Sequence, residues 1–200
     1  MTLPLGYAVL TILTLFVGSG GDFEVAKSRL TWIPWIYVML SVLLGVLEQT
    51  LQKKLLWFRF ERVREALMWG LGLGAVGVLT VGLHRSGFAI PGITSSLGLL
   101  SESAKSLTPA AGVVVVAGFV AMAVGLELYS RTFLAPQWGF WSVAFLDALA
   151  FGFGFQSWIL FVWFFLIPGF LGWRRLPGPE AATAHGLALA LTATALLIGT

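Results

Sequence analysis

Long apolar stretches alternate with short polar ones along the whole chain. The apolar stretches are about as long as a membrane-spanning helix must be, since about 20 residues rising about 1.5 Å each cross a hydrocarbon core of about 30 Å. Read for such blocks, the chain gives about seven, at approximately 3–18, 32–51, 66–83, 110–131, 139–156, 158–173 and 182–199. The first is short. The fifth and sixth are separated only by Gly152-Phe153-Gly154-Phe155-Gln156-Ser157, a junction that fits either a tight hairpin or a break in one tilted helix. The pattern predicts an all-α, polytopic transmembrane helix bundle of about seven spans, six to eight allowing for that junction. It forms a single membrane domain over 1–200, with no internal repeat and no low-complexity tract.

The polar segments give the bundle a direction. Lys53, Lys54, Arg59, Arg62 and Arg64 all follow the second block, and the positive-inside rule places that segment in the cytoplasm. With seven spans Arg131, Arg174 and Arg175 then also face inward. Eight of the twelve basic residues lie inside and Lys27, Arg29, Arg85 and Lys105 outside. The N-terminus is expected in the cytoplasm and the C-terminus outside. Leu55 to Arg64 mixes aromatic and cationic residues in the manner of a helix lying on anionic lipid, or of a juxtamembrane helix that fixes topology. Ser86 to Thr108, rich in Gly, Ser and Leu, reads as an outer loop with a short amphipathic piece.

Composition narrows the class. Hydrophobic residues make up 58% of the 200, charged residues 10%, and mean hydropathy is +0.92, whereas soluble domains carry about 25% charged residues. The net charge of +3 is spread between apolar blocks, so there is no basic face for nucleic acid, and anionic lipid head groups are the expected partners. The absence of cysteine excludes disulfides, thiolate metal sites and cysteine nucleophiles. Met1-Thr2-Leu3-Pro4 places no basic residue before the first apolar block, which is therefore expected to be retained rather than cleaved as a signal peptide.

A charge at bilayer depth costs about 2.5 to 3.5 kcal/mol, so each one needs a partner or a purpose. Five residues stand out: Glu48, Glu127, Arg131, Asp147 and His185. Glu127 and Arg131 are four apart, on one helix face and in the favourable order for an ion pair. Asp147 has no cation within reach on its own helix and calls for protonation or a partner across helices, such as Arg131. Glu48 is expected at the interface, reaching water beside Lys53 and Lys54. His185 and His84 each fit an interfacial hydrogen bond or, in a sharper reading, a ligand.

Three stretches carry a family resemblance: Gly125-Leu-Glu-Leu-Tyr-Ser-Arg-Thr-Phe-Leu134, Phe145-Leu-Asp-Ala-Leu-Ala-Phe-Gly-Phe-Gly-Phe155 and Ala182-Thr-Ala-His-Gly-Leu-Ala-Leu189. Their order resembles the CAAX-protease and bacteriocin-processing (CPBP, or Abi) membrane proteins, over about residues 84–199, with 1–83 as additional N-terminal helices and the juxtamembrane segment. That family places Glu-Glu-x-x-x-Arg at the end of one helix, Phe-x-x-x-His in the next and His-x-x-x-Asn or Asp in a later one. Glu127, Arg131, Phe151 and His185 match. The departures are Leu126 at the first Glu, Phe155 at the second-motif His and Leu189 at the final Asn or Asp. The resemblance implies proteolysis in which the first Glu and that His activate a water; neither Leu126 nor Phe155 accepts a proton.

The expected protein is thus a pseudoprotease, a scaffold or accessory subunit of a membrane complex, with other membrane subunits as partners, in a membrane of bacterial inner-membrane type. Glu127, Arg131, Asp147 and His185 form its remnant site. Two further readings stay open: an intramembrane endopeptidase using Glu127, Asp147 and His185 as a two-carboxylate site, and a pigment- or haem-binding subunit with His185 or His84 as axial ligand. Two carboxylates and one histidine are too few to define a metal site, and no cofactor is expected beyond bound lipid or pigment. A transporter is disfavoured, because no matching pair of broken helices marks an inverted repeat.

Overall fold

A computed structural model describes residues 23–52, 60–88, 101–154 and 158–198. The first predicted block, 3–18, lies outside them. The described residues are helical, without strands. The long helices are α1 (Phe23–Gln52), α2 (Val63–Arg85) and α3 (Pro109–Tyr129), which continues through a π-helical turn, Ser130–Leu134, into the short α4 (Ala135–Trp138). They are followed by α5 (Phe140–Gly154), α6 (Trp158–Trp173) and α7 (Gly178–Ile198).

Local chemistry sets several of these ends. Thr108 caps α3, its side-chain oxygen accepting from the Ala111 amide, and Pro109 follows at the first helical position, where its missing N–H costs nothing. Gly139, at φ 80°, supplies the left-handed turn that ends α4 and starts α5.

Four helical stretches, Thr31–Thr50, Val63–Arg85, Pro109–Trp138 and Gly178–Ile198, are long and apolar enough to cross a membrane. The described lengths of α5 and α6, 15 and 16 residues, rise only about 23 and 24 Å. These two form a hairpin: Gly172 lies against Phe140, Gly169 against Trp141, and Phe145 packs edge-on to Phe161 and Phe165. The antiparallel packing of α5 and α6 is what the hairpin reading expects; residues 155–157 of the junction lie outside the described residues.

Small residues set the other helix directions, because they let backbones approach where lipid offers no hydrophobic drive to associate. Gly70 faces Ala184 and Leu187, Gly74 faces Leu191, and Gly77 faces Thr192, so α2 and α7 run parallel. On α1 and α3, Pro34 and Trp35 lie against Gly118, and Ser41 against Gly125, so that pair is parallel too. Gly112 near Leu197 and Gly186 near Val120 and Val124 make α3 and α7 antiparallel. One end of the bundle therefore gathers the C-terminal part of α1, the start of α2, the π turn, the start of α5, the end of α6 and the start of α7.

The distribution of polarity is inverted relative to a soluble protein. Glu48, Glu127, Asp147, Glu180 and His185 are buried, while Trp32, Met39, Met68, Leu79 and Val113 are exposed. Apolar residues outside and ionisable ones within suit helices solvated by lipid.

Two expectations need correction. Glu48 does not reach into water: its side chain is buried at 3% exposure, because the C-terminal part of α1 packs along α3 where Gly45 approaches Tyr129. The described part of Leu55–Arg64 is not an interfacial helix either. Phe60–Arg62 is non-helical and Val63 already opens α2, held there by contacts described below; 53–59 fall outside the described residues. In the predicted outer loop, Ser101–Lys105 is helical, with Ser101, Ser103 and Ala104 buried and Glu102 and Lys105 exposed, an amphipathic piece as expected; 89–100 lie outside the described residues.

The glycine contacts give a paired test. A Cβ on Gly77 would collide with Thr192 Oγ1 and fall 2.8 Å from Trp163, whereas one on Gly72 meets nothing within 4 Å. Gly77→Leu is expected to destabilise the bundle by about 1 to 3 kcal/mol, and Gly72→Ala to be neutral or stabilising by up to about 1 kcal/mol. Unfolding midpoints in one detergent check the contrast; equal effects at the two positions would contradict the assigned α2–α7 face.

Candidate functional site: a buried polar cavity

At the inner junction of α3, α5, α6 and α7, the chain brings together the four ionisable residues expected at the site. Glu127 and Ser130 come from the end of α3 and the π turn, Arg131 from that turn, Asp147 from α5 and His185 from α7, all lining one small, partly open cavity. Its other walls are apolar, with Leu126, Val143 and Phe164 among them, and its tightest part has room for a group of about the size of water.

Glu127 is the hub. Its Oε2 accepts from Arg131 Nε at 2.6 Å and its Oε1 lies 3.0 Å from His185 Nδ1. A carboxylate only accepts, so the geometry assigns the imidazole proton to Nδ1; in the neutral ring Nε2 is then an acceptor. Arg131 is fixed from three sides: besides Glu127, Nη1 donates to the Leu176 carbonyl at 3.1 Å and Nη2 to the Pro168 carbonyl at 3.3 Å. Its guanidinium carbon stands 5.4 Å from the centre of the Phe140 ring, within cation–π range. Pro168 lies in α6 and Leu176 just before α7, so one side chain ties α3 to both. The Pro168 and Leu176 carbonyls answer donors that a hydrocarbon surrounding could not satisfy.

The π turn is what allows this. It starts three residues after Glu127 and widens the helix where Arg131 must swing towards α6, a placement in keeping with the tendency of such turns to occur at functional positions. His185 packs its ring 5.5 Å from Phe164. Its Nε2 is buried, and so is Ser130 Oγ, and neither has a hydrogen-bond partner among the described residues.

Leu126 and Leu189, where the CPBP pattern carries polar residues, are both buried apolar side chains, and Leu126 lines the cavity. Phe155 lies outside the described residues. His84 sits in the last turn of α2, at the opposite end of the bundle. Among the described residues no group of three or more His, Cys, Asp and Glu is placed to hold a metal ion.

Among the buried polar residues that sequence reasoning did not single out, Ser130 and Glu180 bear most on this end of the bundle. Ser130 gives no hydropathy signal. Glu180, in the first turn of α7 and 0% exposed, accepts through Oε1 from the backbone N–H groups of Glu61 (2.7 Å) and Arg62 (3.0 Å). It thereby caps the approach to α2, whose N-cap, Arg62, makes no capping bond of its own. Next to it Arg62 pairs with Glu65, and Arg174 reaches Glu65 at 3.3 Å while lying over Trp69. A carboxylate in a first turn was the available signal, masked by its neighbours Pro177-Gly178-Pro179.

No model of a known protein family matches the chain, and neither a curated protein nor a solved structure is similar to it.

Removing one member of a buried ion pair leaves the other uncompensated, at a cost of about 3 to 5 kcal/mol, whereas replacing both by apolar groups of similar size is often tolerated. Glu127→Leu alone should lower the unfolding midpoint strongly. Glu127→Leu combined with Arg131→Met should lower it less than either single change, as read from a double-mutant cycle on purified protein.

Proposed function

We propose that this chain is a CPBP-like integral membrane protein that acts without catalysis, as a scaffold or accessory subunit of a membrane complex. The observation that carries this reading is the engagement of its central carboxylate. Both Glu127 oxygens already accept, from Arg131 and His185, which engages the carboxylate as a brace between α3 and α7, whereas a general base must meet a water within about 3 Å. Leu126, which stands where the family pattern has its water-activating Glu, offers the cavity only an isobutyl group. Loss of a general base typically removes a factor of about 10² to 10⁴ in rate. The groups that remain join α3, α6 and α7, and a rigid bundle with an apolar exterior suits a protein that presents surfaces to neighbouring subunits.

The second reading, an endopeptidase using Glu127, Asp147 and His185, draws support from their shared cavity and from the acceptor Nε2 of His185 oriented by Glu127. Incubation of purified protein with a peptide library separates the two. No cleavage above the uncatalysed rate is expected. Cleavage that Glu127→Ala or His185→Ala abolishes, in variants still folded, would overturn the scaffold reading. Native mass spectrometry of gently solubilised protein should reveal a stoichiometric assembly, and a chain recovered only as a bare monomer counts against it.

The proposed orientation puts the π turn and the starts of α2, α5 and α7 on the cytoplasmic side of a bacterial-type inner membrane, with about seven spans and the N-terminus inside. Its support is that the helix directions bring Arg62, Arg64, Arg131, Arg174 and Arg175 to that end of the bundle, with Arg85 and Lys105 at the other. Because the chain lacks cysteine, single replacements report cleanly. Ser86→Cys should react with an impermeant maleimide in intact cells and Arg175→Cys only after the membrane is broken; the reverse pattern would invert the topology.

A further inference from the structure

The turn between α6 and α7 carries an arginine where the backbone asks for glycine. The Arg175 amide donates to the Gly172 carbonyl at 2.9 Å and the Leu176 amide to the Leu171 carbonyl at 3.2 Å, the paired bonds of a helix end whose closing residue is left-handed and usually glycine. Arg175 takes that conformation at φ 54°, alone among the described non-glycine residues, although a Cβ is strained there. Nothing in the fold uses its side chain, which is exposed and makes no hydrogen bond or ion pair among the described residues; only its carbonyl is bound, by Arg62 Nη1 at 3.3 Å. The surroundings are basic and stiff. Arg174 lies over the rings of Trp69 and Trp173 and reaches Glu65 at 3.3 Å, while Arg62 and Arg64 stand at the start of α2. These four guanidiniums share the edge with the surface carboxylates of Glu61 and Glu65; Glu180 is buried against the Glu61 and Arg62 amides and ties α7 to the approach to α2.

We propose that this edge binds an anionic phospholipid of the surrounding membrane, its phosphodiester taken by Arg175 together with Arg174 and Arg64, and an acyl chain lying along α6. Three features select that ligand. A guanidinium presents a fork of N–H donors that matches the oxygens of a phosphate, and the excess of arginine over surface carboxylate favours an anion. Trp173 and Leu166, seven apart on one face of α6, are exposed at 66% and 52%; the indole sits at the level of the charges, where aromatic belts meet head groups, and the leucine about 10 Å deeper. One lipid covers both the charges and that apolar face, whereas a free phosphate or a soluble acidic peptide covers only the first. The strained backbone of Arg175 supplies the third: a left-handed residue with an unused cation is intelligible if its partner lies outside the chain. The inference goes beyond the scaffold role and holds equally for a catalytic chain; the cleavage assay reads one and lipid binding the other.

The test uses full-length protein stripped of lipid in a non-ionic detergent, with phosphatidylglycerol or phosphatidylcholine added at equal mole fraction. Phosphatidylglycerol should raise the unfolding midpoint saturably, by about 2 to 4 °C more than phosphatidylcholine does; inorganic phosphate at the same concentration should not. Arg175→Gly sets the structural and the binding role against each other. Relieved of the strained conformation, the lipid-free variant should unfold at the parent's temperature or above it, yet lose most of the phosphatidylglycerol shift. Arg64→Gln, on an exposed side chain, should raise the half-saturating lipid fraction by about two- to fivefold, while Lys105→Gln, at the opposite end of the bundle, should leave the response intact. Equal shifts with the two lipids, a shift reproduced by inorganic phosphate, an unchanged shift in Arg175→Gly, or an equal loss in Lys105→Gln overturns the proposal.

Discussion

The carboxylate of Glu127, shared between Arg131 and His185, joins elements that are far apart in the chain. Arg131 carries the link to the carbonyls of Pro168 and Leu176, so α3, α6 and the approach to α7 meet at one charged group. In a lipid-solvated bundle the apolar surface of each helix is as comfortable against acyl chains as against its neighbours. Directional contacts then fix which neighbour is chosen and in what register. The π turn, the buried carbonyls and the face of Phe140 are each intelligible as what Arg131 requires in order to be held away from water.

The same constraint explains the division of labour across the molecule. Along the middle of α2 and α7, between the polar contacts at their ends, contact is made by Gly70, Gly74 and Gly77 against Ala184, Leu191 and Thr192, and close approach replaces charge. Where aromatic rings dominate, in the α5–α6 hairpin, Trp141 and Phe140 fill the notches at Gly169 and Gly172. The four-residue pair of cation and anion, the glycine stripe and the ring-in-notch contact are three solutions to one problem: giving specificity to surfaces that hydrophobicity alone does not distinguish.

Much of this was legible in the order of residues, and the parts that were not share a cause. Helix existence follows from hydropathy, and the Glu127–Arg131 contact from a spacing of four, because both are properties of one helix. Asp147 and His185 stood out as ionisable groups within apolar runs, but their arrival at the same cavity as Glu127 depends on tertiary packing. Glu48 was misplaced for that reason: its position near the end of a block suggests water, and only the parallel packing of α1 on α3 closes it in. Glu180 was overlooked because its partners, the amides of Glu61 and Arg62, are 119 and 118 residues away. The antiparallel packing of α5 on α6 likewise depends on Gly169 and Gly172, far from the junction between them.

The parallel pairing of α2 with α7 bears on how the molecule is made. Two helices adjacent in the chain are naturally antiparallel and can settle together as soon as both have entered the bilayer; parallel ones need an intervening crossing. Here the partner of the glycine face of α2 is the last described helix, and the carboxylate that caps α2 arrives with it. During synthesis, at about 5 to 20 residues per second, that face waits several seconds for α7. The newborn bundle is therefore open along one seam until α7 is delivered, and a ribosome that stops short of residue 178 releases a chain in which Gly70 and Gly74 lack their partners, though Trp163 and Phe170 of α6 still reach α2.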